Sequence, residues 1–254
     1  MPSGPATTGT ETVVLNGEAA FPLRKISGRF QLVPELYAQV EYNDYDKTTY
    51  FGPFETESDA ELLHLAIGLR AGTNGPLFGR NSRGSIDVAY VIGRETNGAI
   101  ETDFEFAKFS LKQEIFLEND HSLSFRLAGQ KSQDRLHPLE QMALGGDTTV
   151  RGYPVNGVAG DTAFAGSLEY RMAPWSFAVN QQEASFTPHV FADFGYADNP
   201  AASTTERMSS VGFGGEVSLG KNIVGTLNIA HALEEAGTTS ANSTSLSFQF
   251  TARF

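Results

Sequence analysis

The sequence alternates apolar and polar residues with a period of two, segment after segment. Successive side chains of a β-strand point to opposite faces, so each segment reads as a strand with one apolar and one polar face. The last is the clearest. Leu246, Phe248, Phe250, Ala252 and Phe254 share one face, and Ser245, Ser247, Gln249, Thr251 and Arg253 the other. Leu123, Phe125 and Leu127 alternate with Ser122, Ser124 and Arg126, and Ile86, Val88, Tyr90 and Ile92 with Ser85, Asp87 and Ala89. Leu63, Leu65, Ile67 and Leu69 alternate with His64, Ala66, Gly68 and Arg70. About eleven strands follow, at 12–22, 30–42, 61–71, 84–93, 102–117, 120–130, 161–173, 186–197, 208–219, 222–232 and 243–254. Apolarity changes face near Ala107–Lys108, which predicts a bulge in that strand.

A soluble sandwich and a membrane barrel both alternate in this way. These segments are roughly ten residues or more long, against about five or six in globular sheets. Their polar faces carry charges and small residues, as a wet lumen requires. No window approaches the ~18 apolar residues of a spanning helix. The expectation is an all-β chain, a transmembrane antiparallel β-barrel domain over residues 1–254, forming the C-terminal part of a barrel of roughly sixteen strands.

Short connections such as Glu118–Asn119 and Gly220–Lys221 alternate with long ones at 43–60, 131–160 and 233–242, with further connections at 72–83 and 174–185. Barrels of this kind keep short turns on the periplasmic side and long loops outside. Strand 12–22 then begins on the outer side and the strand count is odd, so further N-terminal strands are expected. The opening MPSGPATTGT has neither a basic start nor an apolar stretch, so no signal peptide is read there. Net charge is −12, which repels phosphate backbones and argues against nucleic acid as a partner. Acids cluster in loop-like stretches, Asp44–Asp46, Glu55–Asp59 and Glu234–Glu235. Cysteine is absent, which removes disulfides, thiolate metal sites and cysteine nucleophiles.

The long connection at 131–160 carries the distinctive residues: Gly145-Gly146, then Val150-Arg151-Gly152-Tyr153, then Gly160-Asp161, then Gly166 with Glu169. Further on stands Phe191-Ala192-Asp193-Phe194-Gly195. Strand alternation puts Asp193 opposite Val190, Ala192 and Phe194, and Glu169 opposite Phe164, Leu168 and Tyr170. A carboxylate facing lipid is expensive, so both acids are expected on the lumen side. Buried there, they need a cation, and an arginine fork grips a carboxylate with two hydrogen bonds. Glycines flanking Arg151 permit a tight path through a crowded pore.

These residues resemble the long-loop and F-x-D-x-G motifs of the outer-membrane transporters that include two-partner secretion pores and barrel-assembly insertases. Segments 129–146 and 209–233 are similar to the haemolysin activation/secretion type. The resemblance is good over roughly residues 100–254 and weak before that. It implies a loop folded into the lumen, with Arg151 meeting Asp193 and Glu169 nearby. It implies that C-terminal Phe254 belongs to the signal by which the barrel-assembly machinery recognises a client. It implies a bacterial outer-membrane location, contact with outer-membrane lipid, a secreted exoprotein as substrate and no cofactor. Family members carry periplasmic POTRA domains and a plug helix ahead of the barrel, and neither is visible here.

The histidines, His64, His121, His137, His189 and His231, show no metal-binding spacing, and no nucleophile elbow or P-loop is present. His64 and His189 read as ordinary lumen residues. An enzyme is therefore not expected. Protein translocation leads, with barrel insertion and a passive pore as alternatives that the loop motif does not separate.

Overall fold

The computed structural model describes residues 7–51, 54–179, 182–200, 203–220 and 222–253. Fourteen strands are formed among these residues: β1 (Thr7–Pro22), β2 (Gln31–Phe51), β3 (Phe54–Leu77), β4 (Arg80–Asn97), β5 (Ile100–Phe116), β6 (Ser122–Ser132), β7 (Met142–Leu144), β8 (Val158–Gly160), β9 (Thr162–Arg171), β10 (Trp175–Val179), β11 (Gln182–Asn199), β12 (Thr204–Leu219), β13 (Ile223–Ala232) and β14 (Thr244–Ala252). Eleven of them form one antiparallel sheet in the order β1-β2-β3-β4-β5-β6-β9-β11-β12-β13-β14, with short β10 beside β11. β7 and β8 form a separate hairpin. Among the described residues β1 and β14 end the ladder without pairing with each other, so the barrel wall is open along that line. Phe254 lies outside the described residues.

Register fixes the two faces of the wall. Leu36, Leu69, Val88, Phe109, Gly129, Phe164 and Tyr196 stand opposite one another from β2 to β11, one row on the outer face. Along that face Ile67, Val88, Leu168, Phe213, Leu246 and Phe248 stay exposed, about half or more, which is the apolar band a bilayer requires. The opposite row, Glu35, Arg70, Asp87, Ser110, Ala128, Ala165, Gly195 and Met208, faces inward. The inner face curls around a cavity of about 690 Å³ whose lining runs from Arg83 on β4 to Gln249 on β14.

Three expectations need correction. First, residues 43–51 and 54–60 are strand and not loop. β2 and β3 stay paired out to Phe51 and Phe54, so Asp44–Asp46 and Glu55–Asp59 are strand positions. Ladder hydrogen bonds come from the backbone and do not depend on an apolar side chain, so a hairpin continues past its membrane-facing part. Secondly, 72–83 holds a two-residue turn, Phe78–Gly79, between paired Leu77 and Arg80, with positive φ of 51° and 79° as tight hairpins require. Most of 174–185 is likewise strand, with β10 paired to the start of β11. Thirdly, β5 has no bulge. It pairs one-to-one with β4 and β6 through Phe106, Ala107 and Lys108. The apparent slip arises because Phe104 and Phe106 point inward, like Lys108, into an apolar cluster with Leu62, Ala66, Val91 and Leu136. Leu136 belongs to the long loop, so the loop gives this wall a dry patch that alternation alone does not anticipate.

Candidate functional site

The long loop leaves β6 at Ser132 and returns at β9, and it stays against the inner wall. The β7–β8 hairpin is its stem, with Met142 opposite Gly160 and Leu144 opposite Val158. Gly145, Gly146 and Gly152 take positive φ of 109°, 81° and 97°, the region glycine enters freely, and turn the chain tightly at the tip. Thr149 closes this turn. Its hydroxyl accepts from the Gly145 amide at 2.7 Å and donates to the Gly145 carbonyl at 2.9 Å. The Gly146 amide donates to the Tyr153 carbonyl at 3.0 Å.

Arg151 sits at the centre, 4% exposed. Its Nε and Nη2 donate to the two carboxylate oxygens of Asp193 at 2.7 and 2.9 Å, the bidentate fork. Its Nη1 donates to Glu169 at 2.6 Å, and Nη2 also reaches the Ser167 hydroxyl at 3.0 Å. The Arg151 amide donates to Asp193 as well, at 3.1 Å. The guanidinium lies 3.5 Å from the Phe191 ring centroid, a cation–π contact that shares one inner-wall row with Glu169. Asp193 is 3% exposed and Glu169 7%, so neither acid has bulk water to turn to. Arg171 also grips Glu169, at 2.8 Å, and reaches Glu216 at 3.3 Å.

The other motif residues divide between loop and wall. Val150 and Tyr153 pack with Leu144 on Ala163, Ala165, Ala197, Met208 and Ala232. The Tyr153 hydroxyl lies 2.9 Å from the Glu234 carbonyl and 3.1 Å from that of Ser209. Gly195 lies on the inner face beneath Val150 and Leu144, whereas Gly166 lies on the outer face beneath the Phe194 ring. Gly160 ends β8, and its neighbour Asp161 accepts from the Leu136 amide at 3.1 Å and from Gln141 Nε2 at 2.8 Å.

Sequence reasoning missed several contacts. His64 is not an ordinary lumen residue. Its Nδ1 is 2.9 Å from Glu140 Oε1 of the loop, with both side chains buried. His189 is buried too, with Nε2 2.8 Å from Asn228 Oδ1. Asp147 accepts from Ser247 of β14 at 2.7 Å and from Asn228 of β13 at 3.4 Å. These pairs join residues 39 to 100 positions apart, so no spacing reveals them. The one available signal was acids inside a loop that other residues already place in the lumen.

A strand wall with a lipid-facing outer belt and a loop ion-paired to its inner face defines an outer-membrane β-barrel with an occupied lumen. A family described as haemolysin secretion/activation protein ShlB/FhaC/HecB matches residues 64–219, more than half of the chain. The chain belongs to that family, whose members are outer-membrane β-barrel proteins and not enzymes. Among solved structures it is similar to CdiB from Escherichia coli, with 14% identity and a TM-score of 0.46 over 99% of this chain and 63% of that one. It is also similar to CdiB from Acinetobacter baumannii, with 12% identity and a TM-score of 0.42 over 88% of this chain and 50% of that one. The transport unit of the autotransporter AIDA-I from Escherichia coli matches with 11% identity and a TM-score of 0.38, over 99% and 87%. The chain spans less than two thirds of either CdiB. No curated protein matches its sequence.

Proposed function

We propose that this chain is the barrel region of a pore that exports a large partner exoprotein, of the haemolysin or adhesin type, across the bacterial outer membrane. The supporting observation is the Arg151 cluster. A guanidinium that stays charged at any working pH is held on two wall carboxylates, which seats the loop inside the channel rather than above it. A loop seated there sets the free cross-section through which an unfolded polypeptide passes. Asp193, Glu169 and Phe191 are the wall half of that fixture, and Val150, Gly152 and Tyr153 carry the loop half. The partners in this reading are the exoprotein in transit, lipid against the outer belt, and the assembly machinery that inserts such barrels.

The test is secretion of the cognate exoprotein by the full-length protein carrying Arg151→Ala, with folding checked by the gel mobility of the unheated barrel. Reduced secretion by a folded variant is the expected result. Wild-type secretion would remove Arg151 from the mechanism. Loss of outer-membrane proteins in general, with secretion unaffected, would assign the barrel to insertion instead.

A further inference from the structure

We infer that His64 and Glu140 are positioning residues, a second clasp that holds loop residues 133–141 across the β2–β5 wall independently of Arg151. The clasp begins with an anomaly. Leu62, Ala66, Val91, Phe104 and Phe106 face the lumen yet are at most 4% exposed, on a wall that water should wet. Their cover is Leu136, 2% exposed, laid on them by the loop. Four residues on, Glu140 brings a carboxylate to the edge of the same dry patch. A buried carboxylate needs a hydrogen-bonding partner, and His64 of β3 supplies it at 2.9 Å.

The seat is shaped for this pair. His64 stands opposite Gly93, which stands opposite Phe104, and a Cβ on Gly93 would meet the Phe104 ring and, at 2.8 Å, the His64 Cβ. The other imidazole nitrogen is 3.9 Å from Glu41 of β2, which Asn43 holds at 3.0 Å. Gln130 of β6 donates to the Glu140 carbonyl at 2.8 Å, and His137 of the limb meets the Tyr45 ring edge-on. The hydrogen bonds and ion pairs of Arg151, Asp193 and Glu169 go to other residues. Opening the clasp leaves Leu136 in its seat and the Gln130 and Asp161 bonds in place, so it loosens the limb at Glu140 and widens the lumen beside His64, while the tip stays fixed to β9 and β11. The clasp's part in export rests on the transport reading; the clasp itself does not.

The experiment measures potassium chloride current through the full-length protein in planar bilayers. Glu140→Ala and His64→Ala should each raise the mean conductance, and the double variant should exceed neither, because one interaction is lost in all three. Unchanged conductance in folded variants, or a double effect equal to the sum of the singles, overturns the proposal. A second measurement covers variants that fold poorly. This chain has no cysteine. Cysteines placed at 64 and 140 and joined by a cleavable linker should keep the current low until the linker is cut. No change on cutting also overturns it. Salt current needs no exported polypeptide, so a protein that behaves this way yet secretes nothing refutes the transport reading alone.

Discussion

The loop is tied to the barrel wall at two places that use different chemistry. At its tip, Arg151 makes four side-chain hydrogen bonds to Asp193, Glu169 and Ser167, and lies on the Phe191 ring. On its rising limb, Leu136 fills an apolar patch and Glu140 meets the imidazole of His64. The tip attachment is a charge that nothing in water neutralises, set between two acids. The limb attachment is an oily seat edged by separate hydrogen bonds, Glu140 to His64 and Gln130, and Leu136 and Gln141 to Asp161. A buried ion pair is costly to break, because each partner left behind keeps its desolvation penalty. Separate hydrogen bonds along an apolar seat can be lost one at a time. The contrast makes the tip the fixed end and the limb the adjustable one.

The largest expected effect belongs to the fixed end. Arg151→Ala strands Asp193 and Glu169, both nearly inaccessible, although Arg171 still serves Glu169. The cost is about 3–5 kcal/mol, the usual range for removing one partner of a buried pair. It should appear as a lower urea midpoint read from the fluorescence of Trp175, this chain's single tryptophan, and as new protease cleavage between 145 and 157. Arg151→Lys should recover little, because an ammonium lacks the fork that binds both Asp193 oxygens. Full recovery by lysine would show that charge alone, and not geometry, fixes the tip, and the contrast between the two ends would weaken.

Next comes the limb. Leu136→Ala removes the side chain that covers Phe104 and Phe106. Buried leucine truncations cost roughly 2–5 kcal/mol, and the low end applies here because the lumen side can refill with water. Cleavage should appear at 133–141 while the tip stays protected. If the tip also becomes sensitive, the two attachments are one cooperative unit.

The two ends were also unequally legible in the sequence. Face alternation placed Asp193 and Glu169 on the inner wall, because outward carboxylates are excluded by lipid, and an arginine between glycines in a long loop was the evident cation. No such rule singles out His64. It sits among alternating residues like any lumen histidine, and its partner is 76 positions away in a segment with no regular structure. The alternation rule also failed where the loop changed the solvent. Phe104 and Phe106 looked like a register slip because an apolar residue on a lumen face has no reason to exist until Leu136 covers it. The polar hairpin ends of β2 and β3 resemble loop in the sequence for a related reason: sequence pattern reports the medium a side chain meets, while the ladder continues on backbone hydrogen bonds.

The smallest effect tests whether the tip depends on more than its arginine. Tyr153 packs its ring with Leu144 and Val150, and its hydroxyl reaches the Glu234 and Ser209 carbonyls at 2.9 and 3.1 Å. Tyr153→Phe keeps the ring and removes only the hydroxyl, so the loss is the net value of a hydrogen bond, about 1 kcal/mol. The Ser209 amide, which donates to that hydroxyl at 3.2 Å, also loses a partner. The urea midpoint should fall slightly, with protease protection of the tip nearly intact, because Arg151 still holds it. A loss as large as that of Arg151→Ala would mean that Ser209 of β12 and the β13–β14 connection, and not the β9–β11 acids, decide where the tip rests. In that case the charged cluster would orient a loop already held by its apolar side chains, and the order of the two ends would have to be reversed.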